Sequence, residues 1–214
     1  MNKLKKTYAN KPLVSIVTVV FNGEKYLEET ILSIVNQTYD NIEYIIIDGG
    51  SKDGTIALIK RYESKIDYWV SENDHGIYNA MNKGIDLTSG DWINFMNAGD
   101  KFYNNNVLIN IFNKSNYELT DIIYGNNQVI YPNRTRIAKA GNIQEIWKGS
   151  RFSHQSVFIK SEFHKINKYN VSNCIGADFE FFYKSFMNDI KFKYVDIVVS
   201  SISSGGLSDL RRVD

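Results

Sequence analysis

The chain has 214 residues, with 25 Lys plus Arg against 24 Asp plus Glu, and 43% of it is hydrophobic. That length buries a sizeable core and fits one domain, and a net charge of +1 excludes the strong field that draws a chain to nucleic acid. Cys174 is the only cysteine, which excludes an intrachain disulfide, and no apolar run reaches the roughly 18 residues of a transmembrane helix.

The cysteine usage is that of a reducing cytoplasm. The start, Met1-Asn-Lys-Leu-Lys-Lys-Thr-Tyr-Ala-Asn10, is basic but lacks the apolar core of a signal peptide, so a cytoplasmic place is expected. Lys3, Lys5, Lys6 and Lys11 crowd one end and Arg211 and Arg212 close the other. Two readings stand for them: solvated ends, or weak peripheral adhesion to anionic lipid on the inner face of the membrane, at about 1 kcal/mol per basic residue.

Residues 14–20 are a continuous apolar run rich in β-branched residues, the pattern of a buried parallel strand. Over 24–36, Tyr26, Leu27, Thr30, Ile31, Ile34 and Val35 recur at helical spacing. A second buried strand is predicted over 43–48. Asp53 reads as an N-cap, with Ile56, Leu58, Ile59 and Tyr62 in the helix behind it. A short strand follows at 67–71, a helix at 77–86, and a strand at 91–96 that stops at Asn97-Ala-Gly-Asp100. The alternation predicts an α/β fold: a Rossmann-like, mostly parallel sheet flanked by helices with right-handed crossovers.

Beyond Asp100 the regularity fades. A helix is predicted over 106–113, and one or two strands over 121–131 with Gly125-Asn126 as a turn. Residues 132–152 read as basic and irregular, followed by a strand over 155–160, a helix over 177–188 and strands near 192–202. No repeat or linker occurs, and Pro12 and Pro132 are the only prolines, so 1–214 reads as one domain.

Three strand ends carry small, polar or acidic residues, where a parallel sheet presents side chains to a ligand. Phe21-Asn22 ends the first; the Phe21 ring is either core or a pocket wall. Asp48 ends the second, before Gly49 and Gly50. Its carboxylate can accept the N3–H of a uracil ring, or hydrogen-bond backbone in a turn. Gly76 permits close approach at a helix N-terminus, where N–H groups and the dipole favour phosphate. Asn79, Asn82 and Lys83 follow on that helix, Lys83 being either a ligand group or a solvated lysine. His75, His154 and His164 show no metal-ligand spacing.

Four stretches fall in one order: Val14-Ser-Ile-Val-Thr-Val-Val-Phe-Asn22, Ile45-Ile-Ile-Asp-Gly-Gly-Ser-Lys-Asp-Gly-Thr55, Asp74-His-Gly-Ile-Tyr-Asn-Ala-Met-Asn-Lys-Gly84 and Trp92-Ile-Asn-Phe-Met-Asn-Ala-Gly-Asp100. The series resembles the family 2 glycosyltransferases, inverting enzymes of the GT-A fold that use nucleotide sugars. The resemblance implies a nucleotide-sugar half over about 14–100 and an acceptor half over about 101–214. It puts Val19, Phe21 and Asn22 at the base pocket, Val19 standing where proline is common. It makes Asp48 the base ligand in Asp-Gly-Gly-Ser, with Gly49 in place of the second acid of Asp-Asp-Gly-Ser. Asp74, Gly76, Asn79, Asn82 and Lys83 then cover the ribose and diphosphate.

The family's metal-holding Asp-Xaa-Asp corresponds to Asn97-Ala98-Gly99, so the resemblance leaves Asp100 as the ligand for Mn²⁺ or Mg²⁺ and Asn97 near the sugar or a bridging water. Inversion needs a base opposite the leaving group. The family's Glu-Asp pair corresponds to Ala177-Asp178, which makes Asp178 that base; a plain helix cap is the other reading. Glu180 competes, but two residues along a helix face differently. Phe152-Ser-His-Gln-Ser-Val-Phe158 resembles a His-Gln stretch of the acceptor side, which gives His154 and Gln155 to the acceptor or the donor phosphate. Ser203-Ser-Gly-Gly-Leu-Ser208 is a diphosphate lid or a turn.

The implied reaction moves a hexose or N-acetylhexosamine from a UDP-sugar to a saccharide acceptor linked to polyprenyl diphosphate. The implied process is bacterial assembly of lipopolysaccharide O-antigen, capsule or exopolysaccharide. A nucleotidyltransferase would need a Gly-rich basic loop after the first strand, and Phe21-Asn-Gly-Glu-Lys25 is too short and too acidic. A dehydrogenase would need Gly-Xaa-Gly-Xaa-Xaa-Gly there. A non-catalytic sugar-nucleotide-binding scaffold is allowed by the acids missing at 97–99 and at 177.

Overall fold

In the structure, a computed structural model that describes residues 11–113 and 117–204, the apolar run Val14–Val20 forms β1, buried along its whole length. Then come α1 (Leu27–Val35), β2 (Ile42–Asp48), α2 (Thr55–Arg61), β3 (Tyr68–Ser71), α3 (Ile77–Leu87) and β4 (Trp92–Phe95). β1 pairs in parallel with β2 on one side and β4 on the other, and β3 pairs in parallel with β2. Alternate residues of each strand face opposite sides. Val14, Ile16 and Val20 pack with Leu27, Ile31, Leu58 and Ile59 of α1 and α2. Val17, Val19, Ile45 and Ile47 pack with Tyr78, Met81 and Ile85 of α3. The chain runs outward from β1 through β2 to β3, then returns to β4 beside β1. That reversal opens a crevice past the carboxyl ends of β1 and β4.

The second half is β5 (Lys101–Phe102), α4 (Val107–Phe112), β6 (Ile122–Tyr131), β7 (Arg134–Ala138), β8 (Val157–Lys160), α5 (Ser161–Ile166), α6 (Ala177–Met187) and β9 (Phe192–Ser203). The strands extend the same sheet in the order β3-β2-β1-β4-β8-β6-β9-β5, with β7 on β6. β8 lies antiparallel to β4, with Trp92 opposite Lys160 and Ile93 opposite Ile159. Antiparallel pairing sets the chain entering β8 beside the chain leaving β4, so residues 154–155 meet residues 97–100.

Several expectations for this half are corrected. Gly125-Asn126 is no turn: β6 runs through it, and its pairing with β9 is irregular between Tyr124 and Asn127. A Cβ at Gly125 would lie 2.7 Å from Val199 Cγ2 and 2.8 Å from the Ile197 carbonyl oxygen, so the strands meet too closely there for a side chain. The reversal lies instead between Tyr131 and Arg134. Residues 132–152 hold β7 and a 3-10 turn over Ile143–Lys148. A 3-10 turn, His154–Ser156, precedes β8, and α5 is an unpredicted helix. Lys3, Lys5, Lys6, Arg211, Arg212 and the Gly205–Ser208 part of the proposed lid lie outside the described residues; Lys11 pairs with Asp40. No helix among the described residues is long and apolar enough to cross a membrane.

Gly125→Val should destabilise the protein by about 1–3 kcal/mol, the usual cost of overpacking. The measurement is the urea midpoint; an unchanged midpoint would show that β6 and β9 do not meet at Gly125.

Candidate active site

The end of β2 is held from within. Asp48 is 0% exposed. Its carboxylate accepts the N–H groups of Gly50 and Ser51, both at 3.0 Å, and the hydroxyls of Ser51 and Ser71. Oδ2 takes three of these donors and Oδ1 one, so the buried carboxylate shapes the loop that follows β2. The Val19 side chain is buried against α3.

Phe21, in contrast, presents a 64% exposed ring. Beside it Asn22 has φ 50°, a left-handed conformation Asn tolerates. Its N–H donates to Ser51 Oγ at 2.7 Å and its Oδ1 accepts the Lys52 N–H at 2.9 Å. The loops after β1 and β2 are thus one unit.

At the start of α3, Asp74 Oδ1 accepts the Gly76 N–H at 2.9 Å, and Asn79 Oδ1 faces the His75 N–H at 3.4 Å. Gly76 has φ +107°, and a Cβ there would meet nothing within 4 Å, so the space above this helix start is open. Asn82 and Lys83 lie further along and do not reach that space. Asn82 Nδ2 donates to the Tyr169 carbonyl at 2.8 Å and Asn82 Oδ1 accepts the Tyr169 N–H at 2.9 Å, a clamp between α3 and the segment after α5. Lys83 pairs with Glu72. In this structure both side chains are thus engaged, with Tyr169 and Glu72.

After β4, the loop 97–100 is pinned by Thr30, whose hydroxyl donates to the Asp100 carbonyl at 2.7 Å and accepts the Gly99 N–H at 3.1 Å. Gln155 Nε2 donates to Asp100 Oδ2 at 2.7 Å. Burial pushes the Asp100 carboxyl up to about 6, against the opposing pull of Gln155 and His154. Asn97, 9% exposed, places its Nδ2 3.2 Å from His154 Nε2, while its Oδ1 is buried with no hydrogen-bond partner. On the far side of the imidazole, His154 Nδ1 lies 3.2 Å from Asp178 Oδ2. An ionised Asp178 oxygen only accepts, so His154 Nδ1 is the donor of that contact.

The other oxygen of Asp178 accepts the Tyr78 hydroxyl at 2.8 Å. Burial alone would push the Asp178 carboxyl up, but the His154 hydrogen bond and charge and the Tyr78 hydroxyl outweigh it and hold it at about 2. Glu180 faces elsewhere, bonded to Asn170, Asn173 and Lys184. His154 and Gln155 thus touch residues of the β4 loop rather than forming a separate acceptor surface. The sequence reading missed Tyr78 and Thr30, which sit at core-like helical spacing and carry no signal of their own.

Asp100 and Asn97 belong to one turn, closed by the Asp100 N–H on the Asn97 carbonyl at 2.9 Å, and their side chains carry the hard oxygen donors that suit Mn²⁺ or Mg²⁺. No group of three or more His, Cys, Asp or Glu able to hold a metal occurs among the described residues. An ion here would complete its shell with water and substrate phosphate, the usual habit of Mg²⁺.

A parallel β3-β2-β1-β4 order with polar loops at its switch point defines a nucleotide-binding α/β protein. The sequence profile of Glycosyl transferase family 2 matches residues 15–188, and the chain belongs to this family. Its relatives are named glycosyltransferases. A PGL/p-HBAD biosynthesis glycosyltransferase of Mycobacterium bovis is 28% identical over 205 residues, covering 92% of this chain and 80% of that one. An uncharacterized glycosyltransferase of Mycobacterium tuberculosis, MT1564, is 32% identical over 176 residues, covering 79% of this chain and 67% of the relative.

Among solved structures, S. aureus TarS 1-349 in complex with UDP-GlcNAc superposes with TM-score 0.76 at 15% identity, over 94% of this chain and 61% of that one. The mannosyltransferase PcManGT from Pyrobaculum calidifontis, in complex with GDP-Man and Mn²⁺, superposes with TM-score 0.71 at 16% identity, over 92% and 58%. The shared fold is GT-A, and this chain spans less than two thirds of either solved structure.

Two outcomes follow from Asp100. Its folded value, about 6, lies above the unfolded one, so its contribution to stability is full below about pH 4 and is lost as pH rises through 6. Asp100→Asn should therefore raise the melting temperature at pH 7 and not at pH 4; equal melting at pH 7 would contradict the burial. A metal must displace the proton, so calorimetric Mn²⁺ affinity should fall about tenfold per pH unit below 6 and level off above it. A flat profile down to pH 5 would remove Asp100 as the ligand.

Proposed function

We propose that this chain is an inverting glycosyltransferase that moves a hexose or N-acetylhexosamine from a UDP-sugar to a saccharide acceptor. The observation that carries the reading is one hydrogen-bonded set, Asn97–His154–Asp178–Tyr78, adjoining Asp100–Gln155. It joins oxygen donors at the sheet's switch point to an ionised carboxylate at the head of α6. TarS with UDP-GlcNAc and PcManGT with Mn²⁺ support a nucleotide-sugar donor and a divalent ion.

In this reading residues of about 14–100 seat the donor and residues of about 101–214 seat the acceptor. The exposed Phe21 ring forms a wall for the base, and the open start of α3 receives the diphosphate. Asp100 and Asn97 would hold Mn²⁺ or Mg²⁺, which when bound would offset negative charge on the departing diphosphate. The acceptor oxygen bonds to the anomeric carbon as the bond to the diphosphate oxygen breaks. The acceptor proton passes to Asp178, and the nucleoside diphosphate leaves. A value of about 2 keeps Asp178 ionised and makes it a weak base. That is enough when the transition state resembles an oxocarbenium ion, because the hydroxyl becomes acidic only as its bond to carbon forms. His154 and Tyr78 fix the carboxylate's direction.

The acceptor class we assign is a saccharide on polyprenyl diphosphate, used at the cytoplasmic face of the membrane in building bacterial surface polysaccharide. A purely binding role leaves an ionised, oriented Asp178 without a task.

Asp178→Asn should keep UDP binding and lower turnover by about 10²–10⁴, the span of a general base. Glu180→Gln should change turnover little, since Glu180 faces Asn170 and Lys184. The assay is mass-spectrometric detection of transfer from a UDP-sugar panel to lipid-linked acceptors. An inactive Glu180→Gln beside an active Asp178→Asn would reverse the assignment.

A further inference from the structure

The two acids around the loop after β2 are engaged locally, Asp53 with the Glu24 N–H and with Thr55, and Asp48 within its turn. Position 49, where the resembling stretch has its second acid, is glycine. The space in front of Gly49 is filled, however. A Cβ built there would lie 2.5 Å from Asp74 Oδ2 and 3.1 Å from Asp74 Cγ. The next glycine meets the same segment: a Cβ on Gly50 would lie 2.3 Å from Asn73 Oδ1. The stretch before α3 is folded over Gly49-Gly50, with the Asp74 carboxylate where a side chain from position 49 would project.

That carboxylate is aimed. Oδ1 accepts the Gly76 N–H at 2.9 Å, which leaves Oδ2 turned toward Gly49. Gly49 directly follows Asp48, which is paired in register with Val20, the residue before Phe21. The Gly49 N–H donates to the Val20 carbonyl at 2.9 Å, so the strand end that carries the exposed Phe21 lies next to the glycine that Asp74 Oδ2 faces, which brings an aromatic residue and an anionic acceptor to neighbouring strand ends. Those are the two contacts a flat heterocycle with a ring N–H uses.

We propose that Asp74, brought across from the start of α3, is the base-specifying acid of the donor site and accepts the N3–H of uracil in place of a side chain at position 49. This rests on the reading of the chain as a UDP-sugar enzyme and adds the group that selects the base. A carboxylate there favours uracil, whose N3 carries a proton, and repels cytosine, whose N3 is a lone pair. The acid belongs to the segment that opens α3, so base recognition and the helix start that receives the diphosphate in this reading share one segment.

The test is calorimetric binding of UDP and of CDP to the full chain and its variants, with Mn²⁺ present. The wild type should prefer UDP by about 10–100-fold, the worth of a charged hydrogen bond. Asp74→Ser keeps an oxygen for the Gly76 N–H and should bring the two nucleotides to within a few-fold. Asp74→Asn, nearly isosteric, should do the same, since its amide can donate to cytosine N3. Gly49→Asp alone sets two carboxylates in one space and should weaken UDP binding. Gly49→Asp combined with Asp74→Ser should restore the preference for UDP.

Equal weakening of UDP and CDP in both Asp74 variants, or an unaltered preference in either, overturns the proposal and leaves the functional reading standing. So does a double variant that binds UDP without preference. A wild type that binds neither nucleotide overturns the functional reading and this proposal with it.

Discussion

The antiparallel seat of β8 against β4 is the constraint from which the site follows. It runs the 154–155 segment back along the loop that leaves β4, and without it His154 and Asn97 would belong to separate parts of the molecule. Once there, His154 has both ring nitrogens engaged, Nε2 with Asn97 and Nδ1 with Asp178. An imidazole fixed at both ends transmits position. The loop after β4 and the head of α6 are held at one spacing, and Tyr78 of α3 reaches the same carboxylate. Three elements distant in sequence converge on one side chain.

The electrostatics of that convergence divide two carboxylates. Asp100 is buried with one amide donor and rises to about 6; Asp178 is also buried but gains an imidazole and a phenol and falls to about 2. Environments that push two acids apart assign them different work. Asp100 gains its proton once the pH falls to about 6, while Asp178 stays ionised far below that. Burying Asp100 costs stability at neutral pH, a strain that an arriving cation would relieve.

The parallel half of the fold was legible because its strands are continuous β-branched runs and its helices carry clean apolar spacing. β1, β2 and α3 fell within a residue or so of their predicted bounds. The second half was less so, for physical reasons. β6 passes through a glycine that serves close strand approach, and a sequence cannot tell that from a turn. α5 is six residues long, too short for a periodic signal. Within the site, residue type located Asp100, Asp178, His154 and Gln155, but not who bonds to whom. The turn that buries Asp48 draws its four donors from residues 50, 51 and 71 folding back on it, which residue type alone does not show. Asn82 looked like a ligand group because its clamp partner, Tyr169, lies 87 residues away.

The central claim is that the β4 loop and Asp178 flank one reacting carbon. A crystal structure with a non-transferable UDP-sugar analogue and Mn²⁺ tests it most directly. The expected result is an Asp100 oxygen on the metal, the diphosphate beside it, and the Asp178 carboxylate across the anomeric carbon from the leaving oxygen. A metal bound without Asp100, or Asp178 on the same side of that carbon as the diphosphate, would contradict it.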